Sequence, residues 1–301
     1  MAERVRELTS PPRMRVLYPK AALGAGRSAL ARIPGASSIP GLGNGGEPAL
    51  PDTELRLAGV EIDRDHLAEY DRVCGFRLRD TLPLTYPHIL AFPLSMELMT
   101  SGEFPFPVIG MVHIRNRIAR LRPIEAAERL DLRVWADDLR PHDRGTQFEL
   151  RAEARSGDEL VWRSSSTYLR RGGGDGGGRR GEEDRPEPPR AQAQWKVPGD
   201  VGRAYAGVSG DSNPIHMHPL SARLFGMPGA IAHGMWLKAR CLAALEGHLP
   251  DALEADVSFK LPVVIPATVS FASWPDGAGR GFALHDSRNE KPHLTGSAGP
   301  A

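Results

Sequence analysis

The residues with the most chemistry to offer lie between Tyr205 and Met235, in the stretch YAGVSGDSNPIHMHPLSARLFGMPGAIAHGM. Asp211 and His216 are separated there by Asn213 and Pro214, and a proline bars one straight helix from carrying both. A carboxylate and an imidazole can therefore converge from a loop. Further on, Gly234 opens the apolar run GMWLKARCLAALEG. At a helix N-terminus its N–H has no intrahelical acceptor and sits at the positive end of the helix dipole. One segment thus supplies a base, a second group that carries protons, and a donor for a developing anion.

The same residues admit plainer readings. A metal set of Asp211, His216 and His218 is disfavoured, because His218 faces away from His216 in an extended segment and no further ligand follows at a usual spacing. Asn213 serves equally well to orient a carboxylate or to form an Asx turn before Pro214. His233 reads as mainly structural, fixing the turn ahead of Gly234. His66, His88, His113, His142, His248, His285 and His293 are isolated and read as surface or satisfied core residues. No glycine-rich phosphate loop precedes a helix, since GGGDGGG sits in a linker, and no nucleotide cofactor is implied.

The elements that must hold this segment follow from periodicity. TELRLAGVEID alternates as a strand, DHLAEYDRVCGF has helical spacing, and YPHILAFPLSMELMTS reads as a buried apolar helix. Four strand-like runs follow, MVHIRNRIARLRPI, ERLDLRVWADDL, TQFELRAEARSG and ELVWRSSSTYLRR. In the third, Phe148, Leu150, Ala152 and Ala154 alternate with polar residues, the signature of an antiparallel sheet with one wet face. GGGDGGGRRGEEDRPEPPR, Gly172 to Arg190, holds no apolar residue and reads as a flexible linker. Beyond it the order returns: a strand at AQWKVPGD, a helical turn at VGRAYAGVSG, the loop with Asp211, the helix from Gly234, then four strands. The chain is an internal duplication of α+β units.

Composition excludes several classes. Lys and Arg total 38 against 37 Asp and Glu, so no global field draws nucleic acid, although a local basic patch for a phosphorylated carrier is compatible. The 2 cysteines, Cys74 and Cys241, make no disulfide framework, and no apolar run is long enough to span a membrane. A reducing cytoplasm is the expected compartment. Residues 1–51, rich in proline and glycine, read as a flexible tail with at most a short docking segment such as Met14 to Tyr18; deletion of the tail is expected to leave folding and activity almost unchanged.

The pattern Y-x-x-x-S-G-D-x-N-P-x-H, here Tyr205, Ser209, Gly210, Asp211, Asn213, Pro214 and His216, followed by the pair His233-Gly234, resembles the signature of the MaoC-like, or R-specific enoyl-CoA hydratase 2, family. The two-lobed layout from about Asp52 is similar to actinobacterial (3R)-hydroxyacyl-thioester dehydratases. The resemblance implies a double hotdog, with a first lobe over 52–171, a linker over 172–191 and a second, active lobe over 192–301. It implies a hydro-lyase interconverting trans-2-enoyl and (3R)-3-hydroxyacyl thioesters of CoA or acyl carrier protein, without metal or redox cofactor, as a pseudo-dimeric monomer or a homodimer. Asp211 would be the principal base toward water, His216 its partner, and Gly234 the oxyanion donor, with Tyr205, Ser209, Asn213 and His233 in support. A non-catalytic acyl-thioester-binding protein and a hotdog thioesterase are the competing expectations.

Superposing the repeats sets Tyr70 on Tyr205 and Gly75 on Gly210, but Phe76 on Asp211, Phe92 on His233 and Pro93 on Gly234. The first half thus lacks the base, its partner and the free N–H. In two-lobed relatives such a lobe accommodates a long acyl tail, and Phe76, Phe92, Leu94, Met96 and Met99 suit that use; ordinary core packing is the alternative for each.

Overall fold

The computed structural model describes residues 4–21, 48–172 and 189–301. The body of the linker, residues 173–188, and residues 22–47 of the expected tail lie outside the described residues. The chain folds as a double hotdog. Its first lobe has β2 (Thr53–Val60), α2 (Arg64–Cys74), α3 (Tyr86–Met99), β3 (Met111–Arg120), β4 (Leu130–His142), β5 (Gly145–Ser156) and β6 (Glu159–Arg171). The second has β7 (Ala193–Val197), α4 (Val201–Ser209), two short helices α5 (Pro214–Met217) and α6 (Pro219–Leu224), α7 (Gly234–Leu245), β8 (Leu253–Phe259), β9 (Ala267–Asp276), β10 (Gly279–Asp286) and β11 (Pro292–Pro300).

Each lobe wraps an antiparallel sheet around an apolar helix, and the two sheets fuse. With β1 (Arg4–Leu8) at one edge, the order β1-β2-β4-β5-β6-β3-β8-β11-β10-β9-β7 makes one 11-stranded sheet among the described residues, in which the second lobe repeats the first in reverse about the β3–β8 pair. That pair is antiparallel, with Arg117 opposite Asp256 and Ile118 opposite Ala255. On its wet face Arg115 pairs with Asp256, and Arg117 with Glu254 at 2.6 Å. On the strand β5 alternation, Phe148, Leu150, Ala152 and Ala154 are all buried.

The helices begin and end where side-chain chemistry dictates. Asp63 caps α2 by accepting from the N–H groups of Asp65 and His66, and Gly75 ends it at φ +80° with its N–H on the Asp71 carbonyl. Gly210 ends α4 in the same left-handed way, at φ +74°. The two glycines occupy equivalent places in the repeat, so Phe76 and Asp211 leave their helices at the same kind of turn. Helix α3 departs from expectation. Pro93 lies inside it rather than at its start, because Pro87 already opens the helix in the first turn.

The tail expectation fails for residues 4–21. Arg4–Leu8 form β1, paired in parallel with β2 from Arg4 opposite Thr53 to Leu8 opposite Leu57. Residues 14–21 are helical and form α1, with Leu17 and Ala21 buried. The apolar residues in LYPKAA are too few for a periodic signal, yet two buried positions suffice to seat one helical turn or two against a body already folded.

Beneath the β3–β8 seam, α7 presents Lys238, fully buried. Its ammonium donates to the Asn116 carbonyl at 3.0 Å, to Asn116 Oδ1 at 2.6 Å and to the Ala255 carbonyl at 3.0 Å. Burial draws its pKa down to about 7. The Asn116 amide continues the network by donating to Ser164 and Ser166. Lys238→Met would fill the space but strip three buried acceptors of their donor, so urea melts should show a loss of about 2–4 kcal/mol.

Candidate active site

The Asp211 loop is fixed from both of its ends. Ser209 Oγ accepts from the Asp211 N–H at 3.2 Å, and the Asp211 Oδ1 atom accepts from the Asn213 N–H at 3.2 Å. Asn213 is then the N-cap of α5, its side chain accepting from Ile215 N at 3.3 Å, with Pro214 in the first turn. Both readings of Asn213 are therefore met, the backbone holding the carboxylate and the side chain starting the turn.

His216 lies on α5 and is buried. Its Nδ1 is 2.8 Å from the Ile231 carbonyl, an acceptor only, so Nδ1 carries the proton and Nε2 keeps its lone pair. His233 is the N-cap of α7; its Nε2 donates to the Asp211 backbone carbonyl at 2.9 Å, which ties the start of α7 to the loop. The two imidazoles stack with centroids 3.6 Å apart, and the buried Tyr205 ring lies 5.0 Å from His233. Nitrogen and oxygen atoms of Asp211, His216 and His233 lie within 4.8 Å of one another. Such a trio could hold a cation, but each imidazole here spends one nitrogen on a backbone carbonyl. His218, the other histidine weighed as a ligand, turns away to cap α6 by accepting from Leu220 N.

Burial works against charge throughout the site. It draws His233 down to about 3 and His216 below the ordinary histidine value. Burial pushes the Asp211 carboxyl the other way, yet His233 and His216, the hydroxyl of Tyr18 and the Asn213 N–H together hold it below its usual range. At neutral pH Asp211 is thus ionised and both imidazoles are neutral.

Gly234 begins α7, and among the described residues no group accepts from its N–H. Space is tight there: a Cβ would lie 3.0 Å from the Phe259 ring, which would have to give way by a few tenths of an ångström. From Phe259 an aromatic row runs into the first lobe, through His113 at 5.0 Å, Tyr168 stacked on His113 at 4.7 Å, and Phe148 at 5.7 Å from Tyr168. His88 and His113 are not isolated, as the sequence suggested. Burial draws them to about 4 and about 3 and raises Tyr168, and the Asp211 carboxylate acts on all three. His113 Nε2 is buried without a partner.

The acyl-tail candidates fare unevenly. Phe76 packs near Tyr70 and shares a surface groove with Leu242 and Glu246 at the far end of α7, about 18 Å of helix from Gly234 at ~1.5 Å per residue. Leu94, Met96 and Met99 are closed into the first-lobe core, and Phe92 is half-buried against it.

Two further residues escaped the sequence reading. Tyr18 of α1 donates from its hydroxyl to Asp211 Oδ1 at 2.6 Å. Gly202 in α4 faces the loop so closely that a Cβ would lie 2.0 Å from the His216 carbonyl oxygen. No local signal marks either, since both are defined by long-range approach.

Fold and site together define a double-hotdog protein with an acid–base centre of the hydratase and dehydratase kind. The description "MaoC like domain" matches residues 183–296. The 3-hydroxyacyl-thioester dehydratase X of Mycobacterium tuberculosis is 36% identical over 248 residues, covering 82% of this chain and 89% of that protein. The crystal structure of HtdX from the same organism superposes with a TM-score of 0.74 at 34% identity, over 82% of this chain and all of that one. A mitochondrial 3-hydroxyacyl-[acyl-carrier-protein] dehydratase of Arabidopsis thaliana is 32% identical over 90 residues, 29% of this chain and 51% of that protein. The chain belongs to the MaoC-like dehydratase family.

Gly202→Ala should push α4 and α5 apart. We expect loss of most activity together with a melting temperature lowered by about 4 °C or more, the response to at least ~1–3 kcal/mol of overpacking. Differential scanning calorimetry alongside turnover checks it.

Proposed function

We propose that the protein reversibly hydrates trans-2-enoyl thioesters and dehydrates (3R)-3-hydroxyacyl thioesters at the Asp211–His216 centre. The observation that carries this reading is the convergence of an ionised carboxylate and a neutral imidazole with a free Nε2 near an unpartnered helix N-terminal N–H. In the hydration direction one water is held by Asp211 and His216. Its oxygen bonds to C3 as its proton passes to the pair, and the C2–C3 electrons move toward the thioester oxygen. The Gly234 N–H receives that oxygen while negative charge gathers there. Proton return to C2 completes the addition, and dehydration runs the same steps backward. Asp211 acts as the base toward water, and His216 holds the water and exchanges protons with it. Ser209, Asn213, His233 and Tyr205 keep the loop in place.

The names of the relatives support acyl thioesters as substrates, and the Arabidopsis likeness extends the carrier from CoA to acyl carrier protein. The acyl tail would follow the aromatic row from Phe259 into the first lobe. Two free cysteines, Cys74 and Cys241, both buried, fit a reducing compartment such as the cytoplasm. Among the described residues no helix is long and apolar enough to cross a membrane.

Incubation with crotonyl-CoA tests the reaction: enoyl absorbance should fall without release of free thiol, and thiol release would instead identify a thioesterase. Asp211→Asn and His216→Ala should each lower turnover by about 10² to 10⁴-fold, and the double variant should fall far short of the product of the two losses, because both groups act on one water. Because His216 and Asp211 both titrate below their ordinary values, kcat/KM should stay flat from about pH 6.5 to 8 and decline only toward more acid pH.

A further inference from the structure

The N-terminal helix does more than cover the body. It carries Tyr18 to the carboxylate of a residue in the other lobe's loop, and the contact is as short as a charge-assisted hydrogen bond, 2.6 Å from the hydroxyl to Asp211 Oδ1. Its neighbours on α1 are anchored independently: Leu17 and Ala21 are buried, and Met14 abuts Gly210, where a Cβ would meet Met14 Cγ at 3.2 Å. The helix is thus seated on the very turn that releases Asp211 from α4.

Asp211 has two carboxylate oxygens with unequal surroundings. Oδ1 accepts from Tyr18 at 2.6 Å and from Asn213 N at 3.2 Å. Oδ2 has only His233 Nε2, at 3.8 Å, and that nitrogen donates to the Asp211 carbonyl instead. Its side chain keeps 29% of its surface exposed, so Oδ2 remains open to a water. The other titratable groups that act on this carboxylate are His216, His233 and Tyr205 of the second lobe and, more distantly, His88, His113 and Tyr168 of the first. All six are neutral at neutral pH, the histidines because burial suppresses their protonation and the two phenols because burial raises theirs. At neutral pH no cation stands beside the carboxylate, its direct donors are the Tyr18 hydroxyl and the Asn213 N–H, and the Tyr18 contact is the shorter of the two.

We propose that Tyr18 is a positioning residue for the reaction: its hydroxyl occupies Oδ1, fixes the carboxylate rotamer and leaves Oδ2 as the oxygen that engages water. The inference rests on the assignment of Asp211 as base in the preceding section. It makes α1 a working part of the enzyme. The residue acts through Asp211 and makes no contact with the reacting carbons.

The test is Tyr18→Phe in the full chain, which removes one oxygen and keeps the ring, with Leu17 and Ala21 still seating the helix. For crotonyl-CoA we expect kcat lowered by about 10- to 100-fold, the worth of a charge-assisted hydrogen bond, with KM changed by less than about threefold. Losing the donor makes Asp211 more basic, so the acid limb of kcat/KM should move to higher pH. A purely packing role would leave that limb in place. A rise in kcat with a fall in KM would show that Tyr18 blocks the site, and would overturn the proposal.

A readout without substrate separates this inference from the assigned reaction. A carboxylate with a depressed folded pKa stabilises the fold above its unfolded pKa and loses that contribution as pH falls through the folded value. Tyr18→Phe raises the folded value, so the gain in melting temperature from about pH 3.5 to about pH 6.5 should shrink in this variant, and the substitution should make no such difference in an Asp211→Asn background. Equal gains in wild type and Tyr18→Phe would sink the proposal even where hydration is confirmed. Thiol release by the wild type would overturn the hydratase reading and leave the melting comparison as the judge of Tyr18.

Discussion

The antiparallel pairing of β3 with β8 is the constraint on which the remaining structure hangs. It turns a six-stranded and a five-stranded sheet into one, with Lys238 of α7 buried beneath the join. The join is specified twice. Outside, Arg115 and Arg117 meet Asp256 and Glu254, pairs that are too exposed to stabilise much but would be mismatched by a slipped register. Inside, Lys238 needs the Asn116 carbonyl, the Asn116 side chain and the Ala255 carbonyl simultaneously. A shift of one residue would turn Asn116 out of the core and leave a buried amine without acceptors. The cost of that error, more than any gain from the correct bonds, is what pins the lobes.

With the lobes pinned, α7 has a fixed start, and that start is where the chemistry gathers. His233 caps the helix without bonding its N–H groups and spends its own Nε2 on the Asp211 backbone, so the helix end and the loop move as one body. Gly202 lets α4 approach the His216 carbonyl, and Gly234 lets the helix start approach Phe259. At Gly202 only a missing Cβ permits the distance. Exchange of partners among backbone carbonyls, imidazoles and glycines therefore positions the site, and its acid–base groups inherit their protonation states from the burial that results.

Much of this was legible in the sequence, and the exceptions are instructive. Strong periodicity placed β2 through β6 and β8 through β11, because each of these segments must hide one face. The crowded loop singled out Asp211 and His216, which the structure brings together with His233, because proline, glycine and titratable side chains seldom coincide without a reason. What local pattern could not reveal was approach from afar. Tyr18 sits in a stretch whose proline and glycine content hid a short helix, and its partner is in the other half of the chain. His113 looked solitary because its neighbours, Tyr168 and Phe259, belong to strands far away in sequence. Phe76 was placed by analogy between repeats, and it lies near Tyr70 and the end of α7 remote from Gly234.

The asymmetry between the lobes follows from the same geometry. A two-fold pair of hotdog lobes offers two equivalent loop positions, after Gly75 and after Gly210, but only the second retains the loop with its base and imidazole. The first opens its helix with Tyr86 and Pro87, and Pro87 has no N–H to lend at that start, while its Phe76 turns toward Tyr70. The first lobe meets the second through His113, Tyr168 and the aromatic rings behind them. Neutral imidazole and phenol groups set among rings form a wall that is apolar in bulk and polar at points, suited to guide a chain past a carboxylate without offering it a competing cation. An added positive charge at position 88 or 113 would compete for Asp211. Burial, by keeping both histidines neutral, preserves the carboxylate for water.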